Sequence, residues 1–198
     1  MKKYILIIFI LLIKLSHVAY SQDKIKYSPT REFILDYDDS TIVANILAQT
    51  PKVKIDNNLT YYWFENNKVK SNKGGFSGRL LHGEYKVLDK NKNLIKQGHF
   101  TNGVVDGTWK TWNRQGMLRE VQNWKEGVKH GQWIVYNNEG KIIKSTEYKN
   151  GKLHGEMMYY ENGQQVKKNY KNGVEVMVKE KKPKEKTTFK QADSVRIR

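Results

Sequence analysis

A glycine returns every 24 residues along the middle of this chain, and this period constrains the fold more than any other feature. The glycines in phase are Gly83, Gly107, Gly131 and Gly155. Two residues after them stand Tyr85, Trp109, Trp133 and Met157, and three residues further on stand Leu88, Trp112, Tyr136 and Tyr160. A period of this length predicts stacked structural units, so these side chains are expected to form a shared core before they form a site.

A second aromatic series runs through the same period. It consists of Phe100, Trp124 and Tyr148, which are followed three residues later by Gly103, Gly127 and Gly151. The period extends back to a degenerate unit at about 59–82, and at the other end the unit after Gly155 is two residues short. We therefore expect five units with an atypical first and last member, because a terminal repeat must present a polar outer face.

Each unit is expected to form a β-hairpin. In the unit 108–131 the first arm is TWKTW, the turn is 113–116, the second arm is 117–124, and KEGVKHG links it to the next unit. Aromatic and β-branched residues favour strands, and recurring Asn-Gly pairs supply the positive φ angles of tight turns. The sequence therefore predicts an all-β fold, an elongated single-layer antiparallel sheet of about five 24-residue hairpins and about ten strands. The repeat glycines are interpreted as turn residues.

Two arrangements remain open for the paired tryptophans of a unit. Trp109 and Trp112 are three residues apart, so on a regular strand they face opposite sides of the sheet. A β-bulge beside one of the glycines would bring both to one side.

The combined pattern resembles a known repeat family. The chain is similar to MORN-type repeats, and in particular to the variant in the YwqK family of bacterial toxin–antitoxin antitoxins. The shared pattern is G-x-W-x-x-[WY]-x-x-x-G-x-[IL], followed by an aromatic residue, x-x-G and x-x-x-G. The resemblance covers roughly residues 59 to 175. It implies an elongated sheet that works by interaction, with no catalytic residue to carry over. The chain departs from the pattern at Lys92, where a turn glycine is expected, and in its short last unit.

The N-terminus predicts export. Lys2 and Lys3 precede the apolar run 4–13, and Ala19-Tyr20-Ser21 places small residues at a cleavage site, so we expect a signal peptide over residues 1–21 and a periplasmic or secreted protein. The apolar run is about half of the ~20 residues that span a bilayer, which makes an uncleaved anchor the weaker alternative. The chain contains no cysteine, which excludes a lipoprotein anchor, disulfides and thiol chemistry.

The remaining segments flank the repeat domain, which is placed at residues 59–177. Residues 22–58 are interpreted as a lead-in or cap; apolar residues within 42–47 suggest a short helix behind Ser40, and an irregular segment is the alternative. Residues 52–55 and 59–64 are a candidate extra hairpin. Residues 178–198 are predicted to be a disordered basic tail.

The net charge of +16 limits the choice of partner. The leader contributes three lysines, leaving +13, and the tail's eight basic and three acidic residues carry +5, so the body keeps about +8. Basic patches among aromatic residues are typical of nucleic-acid binding, but export argues against nucleic acid as the partner. The anionic partners outside the cytoplasm are lipid headgroups, surface polymers and acidic proteins, and the plain alternative is that the lysines keep a sheet soluble and protect its edges.

A histidine series invites a metal or catalytic interpretation. His82, His130 and His154 each precede a repeat glycine, with Asp106 in the equivalent place. Equivalent positions on successive hairpins lie about 10 Å apart, whereas zinc needs its ligands at about 2 Å from one ion. We interpret the series as a repeated turn residue, and expect no metal, no cofactor and no catalytic residue.

Two classes of function remain. The first is a non-catalytic module that binds a partner protein, of antitoxin or immunity type. The second is an envelope protein that binds anionic lipid or polysaccharide through a basic, aromatic sheet face. For either class the candidate contact residues are Trp109, Trp112, Trp124, Trp133, Tyr136 and Tyr148, while the repeat glycines are given a structural role (Gly83, Gly103, Gly107, Gly127, Gly131, Gly151 and Gly155). Because one layer cannot bury both faces, we expect at least one of Trp112 and Trp124 to be partly exposed on the binding face.

Overall fold

The computed structural model describes residues 29–49 and 51–177, so the predicted leader and basic tail lie outside the described residues. The described ranges form thirteen β-strands and no helix. The strands are β1 Thr30–Asp36, β2 Ser40–Leu47, β3 Thr60–Glu65, β4 Lys68–Lys73, β5 Arg79–Asp89, β6 Leu94–Thr101, β7 Val104–Trp112, β8 Leu118–Lys125, β9 Val128–Tyr136, β10 Ile142–Lys149, β11 Lys152–Glu161, β12 Gln164–Lys171 and β13 Val174–Val176. Within these ranges no helix long and apolar enough to cross a membrane is found.

The strands form one open antiparallel sheet, which confirms the predicted elongated all-β fold. Its main path runs β1-β2-β5-β6-β7-β8-β9-β10-β11-β12-β13. At ~4.8 Å per strand, this path extends over about 50 Å. The hairpin β3–β4 branches from the path, because β3 pairs with the start of β5 only through Trp63 with Leu80 and Phe64 with Arg79. The five expected repeat hairpins are β3–β4, β5–β6, β7–β8, β9–β10 and β11–β12.

The expectations for the lead-in segment are wrong in two respects. Residues 40–47, suggested as a helix, form strand β2, which pairs with β1 on one side and with β5 on the other. The hydrogen bonds offered by two neighbouring strands outweigh the weak local helical pattern, and Thr41, Ile42 and Val43 are β-branched residues that favour a strand. The candidate hairpin of 52–55 with 59–64 does not form either, since β3 pairs with β4 across a turn at Asn66 and Asn67.

The glycines of the 24-residue series lie inside strands rather than in turns, which corrects their interpretation. At Gly131, three residues of β9 (130–132) lie opposite the single residue Asn123 of β8, and the φ of Gly131 is 79°. Asn123 donates a hydrogen bond to the Gln132 carbonyl at 2.8 Å across this bulge. The same register shift occurs beside Gly83, Gly107 and Gly155. Each regular unit therefore carries a β-bulge of three residues opposite one, in which the glycine adopts a left-handed φ.

The segment KEGVKHG is also not a separate link. Glu126 and Gly127, both with positive φ, form a two-residue turn, and the residues after it begin β9. The backbone N–H of Gly127 donates to the Val105 carbonyl at 2.8 Å, so the turn is bonded to the first strand of the preceding hairpin. Equivalent bonds from Gly103, Gly151 and Gly173 reach Leu81, Lys129 and Leu153. These bonds connect successive repeats at their turns.

The turn within each of the three middle hairpins, β5–β6, β7–β8 and β9–β10, is held by the side chain of its first residue. The carboxamide oxygen of Asn113 accepts hydrogen bonds from the backbone N–H groups of Gln115 at 3.0 Å and Met117 at 2.9 Å. Asn137 and Asp89 do the same in the neighbouring units. In the last unit a two-residue Asn162-Gly163 turn without a register shift replaces this longer turn, which explains why that unit is two residues short.

The buried core lies at the N-terminal end of the sheet. Its two clusters are centred on Leu47, Tyr61, Trp63, Leu80 and Val104, and on Ile46, Leu81, Phe100 and Trp109. From β8 to the end of the described chain, only Thr146 is buried. The C-terminal hairpins therefore hold together mainly through backbone pairing and half-buried side chains.

Candidate binding face

Strand alternation divides the aromatic residues of the repeats between two faces. Trp109 pairs with Gln122, which pairs with Trp133, so these residues share one face of the sheet. We call it the aromatic face; it also carries Trp124 and Tyr148. No extra residue intervenes between Trp109 and Trp112 on β7, so alternation places Trp112 on the opposite face. Of the two arrangements left open for this pair, the regular strand is the one observed.

The β3–β4 hairpin folds across the aromatic face and leaves a cleft beside it. The ring centroid of Tyr62 in this hairpin lies 5.0 Å from that of Phe100, and the ring centroid of Phe64 lies 4.6 Å from that of Phe33. The cleft has a volume of about 310 Å³. The hairpin side is formed by Thr60, Tyr62 and Val69, and the sheet side by Tyr85, Lys96, Phe100, Val105, Trp109, Thr111, Glu120, Gln122, Trp124 and Gly127. We call this the cleft.

Trp109 forms the buried floor of the cleft. It is 5% exposed, and its indole N–H donates to the His99 carbonyl at 3.2 Å. Its ring packs against Phe100 at 4.9 Å and Tyr85 at 5.7 Å between centroids. The ring also covers Gly98, where an added Cβ would lie 2.1 Å from Trp109 Cδ2. Only glycine at position 98 permits this placement of the tryptophan.

Trp124 lies at the wall of the cleft and is half-buried, like Trp112 on the other face. Its indole N–H donates to Gln122 Oε1 at 3.1 Å. The sequence predicts that at least one of Trp112 and Trp124 is partly exposed. Both of them are partly exposed, and Trp124 is the one that lies on the aromatic face.

Beyond the hairpin the aromatic face is open. Trp133 and Tyr148 lie with ring centroids 5.8 Å apart, and Lys129 Nζ lies 3.8 Å from the first ring and 5.1 Å from the second. The Trp133 indole N–H donates to Glu120 Oε1. Burial lowers the pKa of Lys129 and raises the pKa of Tyr148. We call these three residues, Lys129, Trp133 and Tyr148, the open strip; a cation over two half-buried rings is a preorganised contact surface.

Four of the six aromatic residues predicted for the site therefore share one face, and two do not. Trp109, Trp124, Trp133 and Tyr148 lie along the aromatic face, whereas alternation places Tyr136, the equivalent of Trp112, on the other side. Sequence reasoning missed Lys96, Glu120, Gln122 and Tyr62, which complete the cleft. The sequence could have indicated Glu120 and Gln122, because they lie four and two residues before Trp124 on β8 and therefore face the same side of the sheet as Trp124.

Two members of the histidine series, His82 and its equivalent Asp106, bind the adjacent turns. His82 Nδ1 accepts a hydrogen bond from the Asn102 backbone N–H at 3.1 Å, and Asp106 accepts one from the Glu126 backbone N–H at 3.0 Å. Burial, and then the neighbouring His99, lower the pKa of His82. Among residues 29–49 and 51–177, no three His, Asp or Glu side chains are grouped so that they would hold a metal ion. All four residues before the bulge glycines lie in strands, but only His82 and Asp106 bind the adjacent turn, since the buried Nδ1 atoms of His130 and His154 have no hydrogen-bond partner among the described residues.

Comparisons of the chain with protein-family models, with curated proteins and with solved structures found no match. The molecule is an open sheet of repeated hairpins whose aromatic face is covered by a hairpin at one end and exposed at the other.

Proposed function

We propose that this chain is an exported, non-catalytic repeat scaffold that binds a partner protein through the open part of its aromatic face. The observation that carries the proposal is the open strip. Its rings are half-buried and close to one another, so they lose little conformational freedom on binding, and Trp and Tyr are the residues that most often dominate binding energy at interfaces.

The covered end of the sheet gives the proposal a physical basis. There the β3–β4 hairpin places Tyr62 on Phe100, which belongs to the same repeated series as Trp124 and Tyr148. A face that already accepts a polypeptide hairpin at one end has the spacing and chemistry to accept a polypeptide segment at the other. Lys129 is held over two rings, and its positive charge favours a partner protein that has acidic residues at the rim of the interface.

The polar residues of the cleft fit a binding role better than catalysis. The cleft is lined by no histidine, serine or aspartate, so it does not contain the Ser-His-Asp arrangement of hydrolytic triads. The resemblance to the antitoxin family supplies the more specific form of the proposal, in which the partner is a toxin. If residues 1–21 direct export, such a toxin must act outside the cytoplasm.

The proposal is tested with the mature chain, whose N-terminus is expected at Gln22. The protein is immobilised and used to capture partners from envelope extract, side by side with Trp133→Ala and with Trp112→Ala as the matched control on the opposite face. We expect a captured protein to be lost with Trp133→Ala, at a cost of about 2 kcal/mol in binding, and retained with Trp112→Ala. Both variants should keep the circular dichroism spectrum of the parent.

Salt separates this function from the alternative. Attachment to anionic lipid or polymer weakens steeply as the Debye length falls from ~10 Å at 0.1 M to ~3 Å at 1 M, whereas a packed protein interface largely persists. Binding that disappears in 1 M NaCl, or that is insensitive to Trp133→Ala, would reject the proposed protein interface and favour the charged surface.

A further inference from the structure

A polar row crosses the cleft beside its aromatic floor. Lys96 pairs in register with Thr111, which pairs with Glu120, so three polar side chains lie side by side on β6, β7 and β8. Two strand spacings separate the ends of the row, a distance of about 10 Å. The row thus has a cation at one end, a hydroxyl in the middle and a carboxylate at the other end.

Several hydrogen-bonding groups around this row have no protein partner. Gln122 accepts from Trp124 through Oε1, which leaves its NH₂ group as a donor, and Glu120 binds Trp133 through Oε1, which leaves Oε2 as an acceptor. Within the described part of the chain, Lys96 forms no salt bridge, and the Tyr62 and Tyr85 hydroxyls form no hydrogen bond. Both donors and acceptors therefore lie around an apolar surface formed by Trp109 at the floor and Trp124 at the wall.

This combination matches a ligand that has a flat apolar face and a polar rim. A pyranose ring presents C–H groups on its face and hydroxyl groups around its edge, whereas an acyl chain would leave the polar row unsatisfied at a desolvation cost. A volume of about 310 Å³ lies at the small end of ligand pockets, which suits one or two sugar rings rather than a folded domain.

We propose that the cleft binds a uronic acid residue within a polysaccharide chain. The sugar face stacks on Trp124, its carboxylate lies at Lys96, and its hydroxyl groups bond to Thr111, Glu120 and Gln122. Lys96 also lies 5.3 Å from the Trp109 ring centroid, which holds the ammonium group over the cleft. The open strip adjoins this glycan site through the hydrogen bond from the Trp133 indole to Glu120 but does not line the cleft, so one scaffold holds a surface polymer at the cleft and a protein at the strip.

The proposal is tested by calorimetric titration of the mature chain with tetragalacturonate and, in parallel, with the neutral tetrasaccharide maltotetraose. We expect tetragalacturonate to bind with a Kd below about 1 mM and to change tryptophan fluorescence, and maltotetraose to bind at least about tenfold more weakly. Lys96→Met should weaken tetragalacturonate binding by about tenfold or more, because it removes a charge-assisted bond.

Lys110→Met is the matched control, since Lys110 is an exposed lysine on the neighbouring strand and lies on the opposite face. It should leave binding unchanged, as should Tyr148→Ala, because Tyr148 belongs to the open strip and does not line the cleft, so this variant separates the glycan site from the protein interface. Equal losses in both lysine variants would show general charge attraction and overturn the proposal. So would the absence of binding at ~10 mM sugar, equal affinity for maltotetraose, or Lys96-dependent binding to phosphatidylglycerol vesicles without binding to tetragalacturonate. If Lys96→Met unfolds, Thr111→Val tests the same row with a smaller change.

Discussion

Gly98→Ala offers the sharpest test of how the aromatic face is packed. Gly98 lies in β6 without a positive φ, so on backbone grounds alone alanine should stabilise the strand by about 0.5–1 kcal/mol. The structure predicts the opposite result, because the new Cβ would lie 2.1 Å from Trp109 Cδ2 and would force the ring to move.

The size of the effect follows from what Trp109 would lose. Overpacking of a buried site typically costs about 1–3 kcal/mol, and the hydrogen bond from the indole to the His99 carbonyl contributes about 1 kcal/mol. After subtracting the backbone gain, we expect Gly98→Ala to lower the free energy of unfolding by about 2 kcal/mol. For a chain of this size that corresponds to roughly 4–8 °C in Tm.

Urea unfolding followed by tryptophan fluorescence measures this difference, and the chain offers a matched control. Gly75 has no heavy atom within 4 Å of an added Cβ and no positive φ, so Gly75→Ala should be neutral or slightly stabilising. In a Trp109→Leu background the penalty at position 98 should vanish, which gives a coupling of about 2 kcal/mol. Equal stabilities of the Gly98→Ala and Gly75→Ala variants, or a penalty that persists without the indole, would refute this account of the packing.

The remaining predictions concern backbone strain and pH. Gly131→Val should destabilise by about 1–3 kcal/mol because the φ of 79° disfavours β-branched residues, and Gly131→Asn should cost clearly less; equal melting curves would contradict the bulge assignment. Lys92→Gly should stabilise by about 0.5–1 kcal/mol in urea unfolding, because Lys92 has a φ of 64° where the regular units have glycine; a loss would mean that its bond to Thr41 outweighs the strain. Burial raises the pKa of Tyr85 to about 12 from 10.0, so its contribution is complete below pH 10 and is lost as pH rises toward 12. Tyr85→Phe should flatten this alkaline decline in stability, and an unchanged decline would assign it to other groups.

The candidate site was only partly predictable, and the tryptophans show why. The repeat marked Trp109, Trp124 and Trp133 as a group, and all three share the aromatic face. It could not separate them from Trp112, because the side of the sheet on which a residue lies depends on strand register and bulges, which hydrogen bonds between neighbouring strands set. Lys96 carries no local sign of a site, since it becomes a neighbour of Glu120 only through pairing with Thr111.

The sequence by itself determined the repeated hairpins, their number, the Asn-Gly turns and the shortened last unit, because these depend on residues only a few positions apart. The tertiary structure alone decided that residues 40–47 form a strand, that the phased glycines lie in bulges, and that the first hairpin covers the aromatic face. Those outcomes depend on β2 meeting β5 and on Tyr62 meeting Phe100, contacts between residues some 40 positions apart. Local periodicity encodes the unit, whereas the burial of a face is a free-energy balance over the whole sheet.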